Sequence, residues 1–272
     1  MIFYKDRCKR SRSTKAFTLV ELLVVVAVIA LLASVVFSSL RGAREGADLA
    51  RRKRDAATSN RLLVCEQGQM MDLDGNLYDT VEIGGICWMK SNLRYLPSVS
   101  PSADGSTTDP YYYVYGYQGT DVTAAKATAN YNNYGVLYNW PAAKEACPPG
   151  TRLPTDEEQH VLEAAFATGT CDPSRSGVYD CSPAGTALKS SSTDAPSWNG
   201  DNTSGFSALP AGCRYTDGSF NFLGSSADFW SSSESSSAIA WSRSLYSSET
   251  GVNRDAFNKR YGFSVRCVIN IK

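Results

Sequence analysis

Residues 15–40 read KAFTLVELLVVVAVIALLASVVFSSL, an apolar run that carries a single carboxylate, Glu21, near its start. As a helix rising about 1.5 Å per residue, residues 17–40 extend roughly 36 Å, enough to cross a hydrocarbon core of about 30 Å. An ionised Glu near the end of such a span costs on the order of 2–3 kcal/mol even on lenient insertion scales. The charge therefore calls for a partner, and none lies nearby within the run.

Upstream, residues 1–16 hold six basic side chains (Lys5, Arg7, Lys9, Arg10, Arg12, Lys15) against Asp6. This flank is expected to stay in the cytoplasm while the rest is exported. Three plainer readings compete. A cleavable secretory signal has a shorter apolar core, 7–15 residues, closed by a small-x-small site. A plain signal anchor fits the length. Neither accounts for Glu21, and a buried core helix fits neither the length nor the basic flank.

The stretch AFTLVELLV at 16–24 resembles the type IV prepilin motif, in which a basic leader is cut before a Phe and a Glu follows four residues later. The resemblance implies cleavage between Ala16 and Phe17 by a prepilin peptidase, N-methylation of Phe17 and extraction of the helix into a filament. It also supplies a partner for Glu21, the terminal ammonium of a neighbouring subunit, in apolar surroundings where a charge pair is stronger than in water. Ala16 stands where that family usually has Gly; it is small, so cleavage is expected to survive at a reduced rate.

The whole chain is neutral, with 27 basic and 27 acidic residues, but the leader is basic, and removing it leaves the side chains at net −5. Residues 41–61 carry +4 and residues 62–272 carry −8. Leu40, Ala43, Ala47, Ala50 and Ala57 fall near helical spacing, so the Arg-rich stretch is expected to continue the helix outward along a stripe of small residues. Gly42 and Gly46 either support close helix packing or weaken the helix by about 1 kcal/mol each and permit local unwinding. The basic residues fit a solvated helix face, with DNA or lipid head groups as the alternative.

From residue 62 the composition turns to Tyr, Trp, Gly and Ser, with turn pairs at Asp74-Gly75, Asp104-Gly105 and Asp217-Gly218. Some 210 residues suffice for one core. Alternating runs predict strands at 77–83, 86–89, 135–139, 207–209, 240–245 and 263–268, and residues 97–130 read as a long loop. Thr155 and Glu158 form a capping box that opens a helix, with Val161, Leu162, Ala165 and Phe166 on its core face.

Residues 74–93 (DGNLYDTVEIGGICWMKSNL), 134–162, 205–215 (GFSALPAGCRY) and 229–267, ending YGFSVRC, resemble the Fibrobacter succinogenes major paralogous domain. The resemblance implies a C-type-lectin-like fold, related in architecture to formylglycine-generating enzymes. Thr151, Gln159 and Cys213 depart from it, the first two standing where that family tends to have Trp and the third where an aromatic is usual. Seven cysteines remain once Cys8 leaves with the leader, and an exported domain of that density suggests disulfides. Cys171 and Cys181 bracket a short polar loop. Cys147 with Cys267 ties the helix region to the last strand, as lectin-like folds do, and Cys65 with Cys87 staples the helix exit to the first hairpin. Cys213 is left over. Reduced, buried thiols are the alternative for each pair.

Catalytic signals are thin: there is no nucleophile-elbow motif, no CxxC pair, and the only His is His160. Asp72-x-Asp74-Gly75-Asn76 fits a hairpin turn better than a calcium loop, which lacks its bidentate acid. Residues 225–260 mix small polar residues with aromatic anchors, a paratope-like composition, and place Arg243, Tyr246, Asn253, Arg254, Asp255 and Asn258 on an expected ligand face. The alternative is a solvated Ser-rich loop set with Trp230 and Trp241 in the core.

The expected class is α+β: a leader (1–16), a helix (17–61; 17–40 spanning the membrane and forming the filament core, 41–61 Arg-rich) and a mixed, loop-rich, C-type-lectin-like head (62–272). The expected location is the inner membrane, single-pass with the head outside, and then an extracellular pilus. Expected partners are other pilin subunits, a prepilin peptidase, an inner-membrane assembly platform and a surface protein or glycan. No nucleic acid, cofactor, metal or catalytic residue is expected. An adhesive minor or tip pilin, a pseudopilin of a type II secretion or DNA-uptake system, and a tethered formylglycine-generating-like enzyme are the three functional readings.

Overall fold

The computed structural model describes residues 19–61, 65 and 68–270. The leader and the Ala16–Phe17 junction lie outside the described residues, as does the side chain of Glu21. Two compact units divide the chain, Met1–Arg51 and Arg52–Lys272. The division falls within a helix.

Helix α1 (Leu19–Arg61) runs for 43 residues. An apolar chain can satisfy its own N–H and C=O groups only by bonding them along itself, and that outweighs the modest helix propensity of its valines. The helix passes unbroken through Gly42 and Gly46, each with open space around it, so the local unwinding that two glycines permit does not occur. Arg41 and Glu45 form an exposed i,i+4 pair at 3.2 Å. Leu22, Leu23, Val28, Ile29, Leu31 and Leu32 are all exposed, an apolar surface on every side of the helix. Among the described residues no helix is long and apolar enough to cross a membrane.

The second unit continues with β1 (Gln69–Met71), β2 (Leu77–Ile83) and β3 (Ile86–Met89). The hairpin between β2 and β3 turns on Gly84 and Gly85, both at positive φ, the mirror-image turn whose twist matches the strands and which only Gly adopts without strain. Then follow β4 (Tyr112–Tyr113), α2 (Val122–Lys126), α3 (Ala129–Tyr134), β5 (Leu137–Tyr138), α4 (Trp140–Ala146) and α5 (Asp156–Ala164). The chain ends with β6 (Val178–Asp180), α6 (Ala184–Leu188), β7 (Cys213–Arg214), β8 (Phe220–Asn221), β9 (Ser226–Ser236), β10 (Ile239–Tyr246), β11 (Val252–Asn258) and β12 (Val268–Asn270).

One antiparallel sheet has the order β1-β2-β3-β12 and a second β6-β11-β10-β9; β4-β5 and β7-β8 form two small ones. The terminal strand therefore returns to the first hairpin, pairing Val268 with Trp88. Three disulfides fasten the unit: Cys65–Cys87, Cys147–Cys267 and Cys171–Cys181, leaving Cys213 free and buried. Trp88, Trp230, Tyr78, Tyr138 and Phe263 are fully buried in the core.

Several expected elements change. The run 97–130 is not a loop throughout: Asp121 accepts from the Thr123 and Ala124 amides to cap α2, and Thr128 accepts from Tyr131 to cap α3. Residues 207–209 contribute one bridge, Lys189 to Ala208, and of 263–268 only Val268 enters a strand. The backbone of 263–267 bonds instead to scattered partners, the Phe263 amide to the Tyr138 carbonyl, the Ser264 amide to the Asp228 carbonyl and the Leu93 amide to the Val265 carbonyl, while the fully buried Arg266 guanidinium donates to the Met89, Phe206 and Ser207 carbonyls. Helix α5 has the expected capping box, but its buried face is Asp156, Gln159, Leu162 and Glu163; Val161 and Ala165 are exposed and Phe166 half-buried.

Candidate functional site

Strand side chains alternate between sheet faces, and β10 and β11 are in register with Arg243 opposite Arg254 and Ser244 opposite Asn253. The six residues expected on one ligand face are therefore split. Arg243, Arg254 and Asn258 fall on one face; Tyr246, Asn253 and Asp255 fall on the other.

The first face lies against α5 and is closed. Arg243 is 4% exposed and Arg254 6%, so neither presents its charge to a ligand. Two guanidiniums directly opposite each other repel unless an anion lies between them. Asp156 supplies it, with Oδ1 2.6 Å from Arg243 Nη1 and Oδ2 2.7 Å from Arg254 Nη2. Glu163 extends the network, accepting from Arg243 Nε at 3.1 Å and from Arg175 Nη2 at 2.6 Å. Burial raises the Asp156 pKa, but the hydrogen bonds and charges of Arg254 and Arg243 outweigh it and hold the carboxyl below its usual value. Arg254 also stacks 3.5 Å above the Trp241 ring, which is half-buried rather than in the core; Trp230 is fully buried. Gln159 joins this wall by donating to the Trp230 carbonyl at 3.1 Å.

The second face is open along one edge. Tyr179, on β6 opposite Asn253, meets Tyr246 at 6.0 Å between ring centroids; Tyr246 meets Phe222 at 5.8 Å, and Phe222 meets Tyr215 at 6.2 Å. Tyr215 meets Tyr261 at 5.4 Å, and Tyr261 meets Phe257 at 5.2 Å. Six rings thus form one continuous chain of contacts. Tyr179 is 40% and Phe222 43% exposed, while Tyr246, Asn253 and Asp255 are half-buried beside them.

Beneath the rings lies Asp228, wholly buried and without an ion pair among the described residues. The Ser226 hydroxyl donates to its Oδ2 at 2.8 Å and the Ser244 hydroxyl to its Oδ1. Burial pushes this carboxyl up to about 6, the two hydroxyls acting against the rise. Burial, with Asp228 as neighbour, also pushes the Cys213 thiol up, so it stays protonated and is a poor nucleophile. Tyr246 is raised for the same reasons. This surface suits stacking against a ring-shaped ligand, with amide, carboxylate and hydroxyl groups at its rim.

Other candidate groups are occupied. His160 Nδ1 lies 3.4 Å from Glu163 Oε1 and 3.9 Å from Cys171 Sγ, and these residues with Cys181 are the one group among the described residues close enough to share a metal ion. The donor set does not fit, because both sulfurs are in a disulfide and both Glu163 oxygens are held by arginines. Asp72 accepts from the Asp74 and Asn76 amides, Asn76 Nδ2 and the Tyr78 hydroxyl, and Asp74 from the Leu96 amide and Lys126. That is a hairpin turn. The aromatic chain was not singled out by spacing, since its rings come from four separate segments; the alternation of β11 alone could have separated Arg254 from Asn253.

Residues 11–37 match the prokaryotic N-terminal methylation motif, which spans Ala16, Phe17 and Glu21 and marks a type IV pilin-like or pseudopilin-type protein. No curated protein and no solved structure gives a significant match. Residues 81–269, from within β2 into β12, match the Fibrobacter succinogenes major domain, and the chain belongs to that family.

Proposed function

We propose that the chain is a type IV pilin-like filament subunit, in a minor or tip position, that displays a ligand-binding, C-type-lectin-like head. The observation that carries this reading is the methylation motif at 11–37, together with the 43-residue helix Leu19–Arg61, whose described apolar side chains are exposed on every side. Such a surface needs lipid or other helices around it. As a precursor the helix sits single-pass in the inner membrane; after cleavage at Ala16–Phe17 it packs among its copies, drawn out by an inner-membrane assembly platform, with Glu21 paired to the methylated terminal amine of Phe17 on a neighbour.

The ligand face is Tyr246, Asn253 and Asp255 with the exposed rings of Tyr179 and Phe222, and the ligand is a surface protein or glycan. On this reading the head binds rather than catalyses. The formylglycine-generating reading requires a reactive cysteine pair, whereas Cys213 is the single free cysteine among the described residues and its thiol is raised.

Mass spectrometry of the purified protein tests the N-terminal half of the proposal: a methylated Phe17 is expected, and an intact Met1 would overturn it. Immunogold labelling of surface filaments with antibody to the head then separates a filament subunit, decorated along or at the tip, from a pseudopilin, which leaves surface filaments unlabelled.

A further inference from the structure

Away from the aromatic face, two adjoining clefts open between loops and share Ser91, Ala195 and Leu209. One measures 210 Å³ and carries Arg94 as its single charged residue, flanked by Asn132, Asn133 and Tyr134. The other measures 320 Å³ and carries Lys90, Asp79 and Asp194 with Ser190 and Ser207. Together they reach the size of a small-ligand site.

The Arg94 guanidinium lies 5.7 Å from the centroid of the Tyr78 ring, and the charge of Lys90 acts on Asp194. Among the described residues neither head group forms a salt bridge or donates a side-chain hydrogen bond, so the polar donors of both remain open. The two acids of the second cleft are already occupied in part: Gln69 Nε2 donates to Asp79 at 2.7 Å, and the Ser191 amide and Asn202 Nδ2 donate to Asp194 at 2.6 and 3.0 Å. Each keeps lone pairs that face the cleft's solvent.

The walls are fixed in advance. Asn92, buried between them, donates to the Tyr134 carbonyl at 3.0 Å and to Ser264 Oγ at 3.1 Å while accepting from Arg266 Nε at 2.8 Å. The Val136 amide donates to the Leu93 carbonyl at 3.1 Å, and a side chain at Gly135 would place its Cβ 2.7 Å from that same oxygen. Segment 91–94 and the end of α3 with Gly135 are thus clamped, so a ligand meets a wall that needs no ordering.

We propose that this double cleft binds an acidic saccharide: a chain of sugar rings of which one, at Arg94, carries a carboxylate. A guanidinium with free donors takes a carboxylate in a two-pronged hydrogen bond. Asn132 Nδ2 and the Ser190 hydroxyl are already committed to the Lys126, Thr128 and Pro196 carbonyls, which leaves Asn133, Ser91 and the half-occupied acids for sugar hydroxyls, which both donate and accept. A polyphosphate would be repelled by Asp79 and Asp194, and an apolar peptide would leave these groups unpaired. The head's net side-chain charge of −8 opposes anions at long range, so the attraction is local to Arg94 and fades with added salt.

Isothermal titration of the full chain in detergent micelles, using an oligogalacturonate and its methyl ester, reads the site directly. The acid form binds and the ester binds about ten-fold or more weakly, because only the charge differs. Arg94→Gln lowers acid binding by a similar factor and leaves ester binding unchanged. Equal binding of acid and ester, undiminished binding to Arg94→Gln with unchanged near-UV circular dichroism, or no binding of either probe overturns the proposal. Binding is read on the unassembled subunit, so such a failure leaves the filament reading standing.

Discussion

Replacing Asp228 with Asn should make the protein more stable at neutral pH and no more stable at pH 4. Asp228 is wholly buried with two serine hydroxyls and no cation, and its carboxyl is lifted from 3.8 to about 6. A folded-state pKa above the unfolded one means that the native protein holds this proton more tightly than the unfolded chain. The stability it contributes is complete below about pH 4 and is lost as pH rises through about 6. The displacement corresponds to about 3 kcal/mol lost by pH 7.5. Asp156 and Glu158 act in the opposite sense, since arginine partners hold both carboxyls down and their contributions disappear as pH falls through the acid range. Comparing wild type and Asp228→Asn at the same pH cancels those terms. Urea unfolding of both proteins at pH 4, 6 and 7.5 should give a stability difference that moves in the variant's favour by about 2–3 kcal/mol across the series, on a constant offset of roughly 1 kcal/mol against the variant for altered serine hydrogen bonds. A difference independent of pH would refute the argument that burial without a counter-charge controls this group.

Asp156→Ala leaves Arg243 and Arg254 opposite each other, buried and without the anion between them, and should cost about 3–5 kcal/mol of stability by denaturant titration. Breaking Cys147–Cys267, which closes a loop spanning 120 positions, with Cys147→Ser and Cys267→Ser together should cost on the order of 4–5 kcal/mol, whereas the same change at Cys171 and Cys181, 10 positions apart, should cost less; thermal unfolding reads both. Gly84→Val should weaken the first hairpin through its positive φ and through collision with the Val161 side chain, seen as a lowered melting temperature with the disulfides intact. Glu21→Ala should leave leader removal intact and lower filament yield in electron micrographs, and a normal yield would remove the proposed pairing with a neighbouring terminus.

The parts legible in the sequence were those whose cause is local. The alternating runs at 77–83 and 86–89 give β2 and β3, and the Thr155–Glu158 box fixes the start of α5. The parts that were not legible depend on partners far along the chain. Arg243 and Arg254 look like ligand residues because a charged side chain in a Ser-rich strand suggests a wet face, yet their counter-charge Asp156 lies 87 and 98 positions away. A usable signal was present on α5 itself. Asp156, Gln159 and Glu163 fall at i, i+3 and i+7, one stripe of a helix, and such a stripe is buried when the opposing sheet offers donors. Reading that stripe against the alternation of β11 would have assigned Arg254 inward and Asn253 and Asp255 outward. The same logic explains why β9, the longest strand of the head, escaped notice: its inward serines bond Asp228 and the Trp241 carbonyl instead of filling space, so no apolar period marks it. In this head polar residues form part of the core as well as the surface. Whether a polar strand residue faces solvent or core is therefore decided by its partners, and those of Arg243 and Arg254 place both arginines in the core.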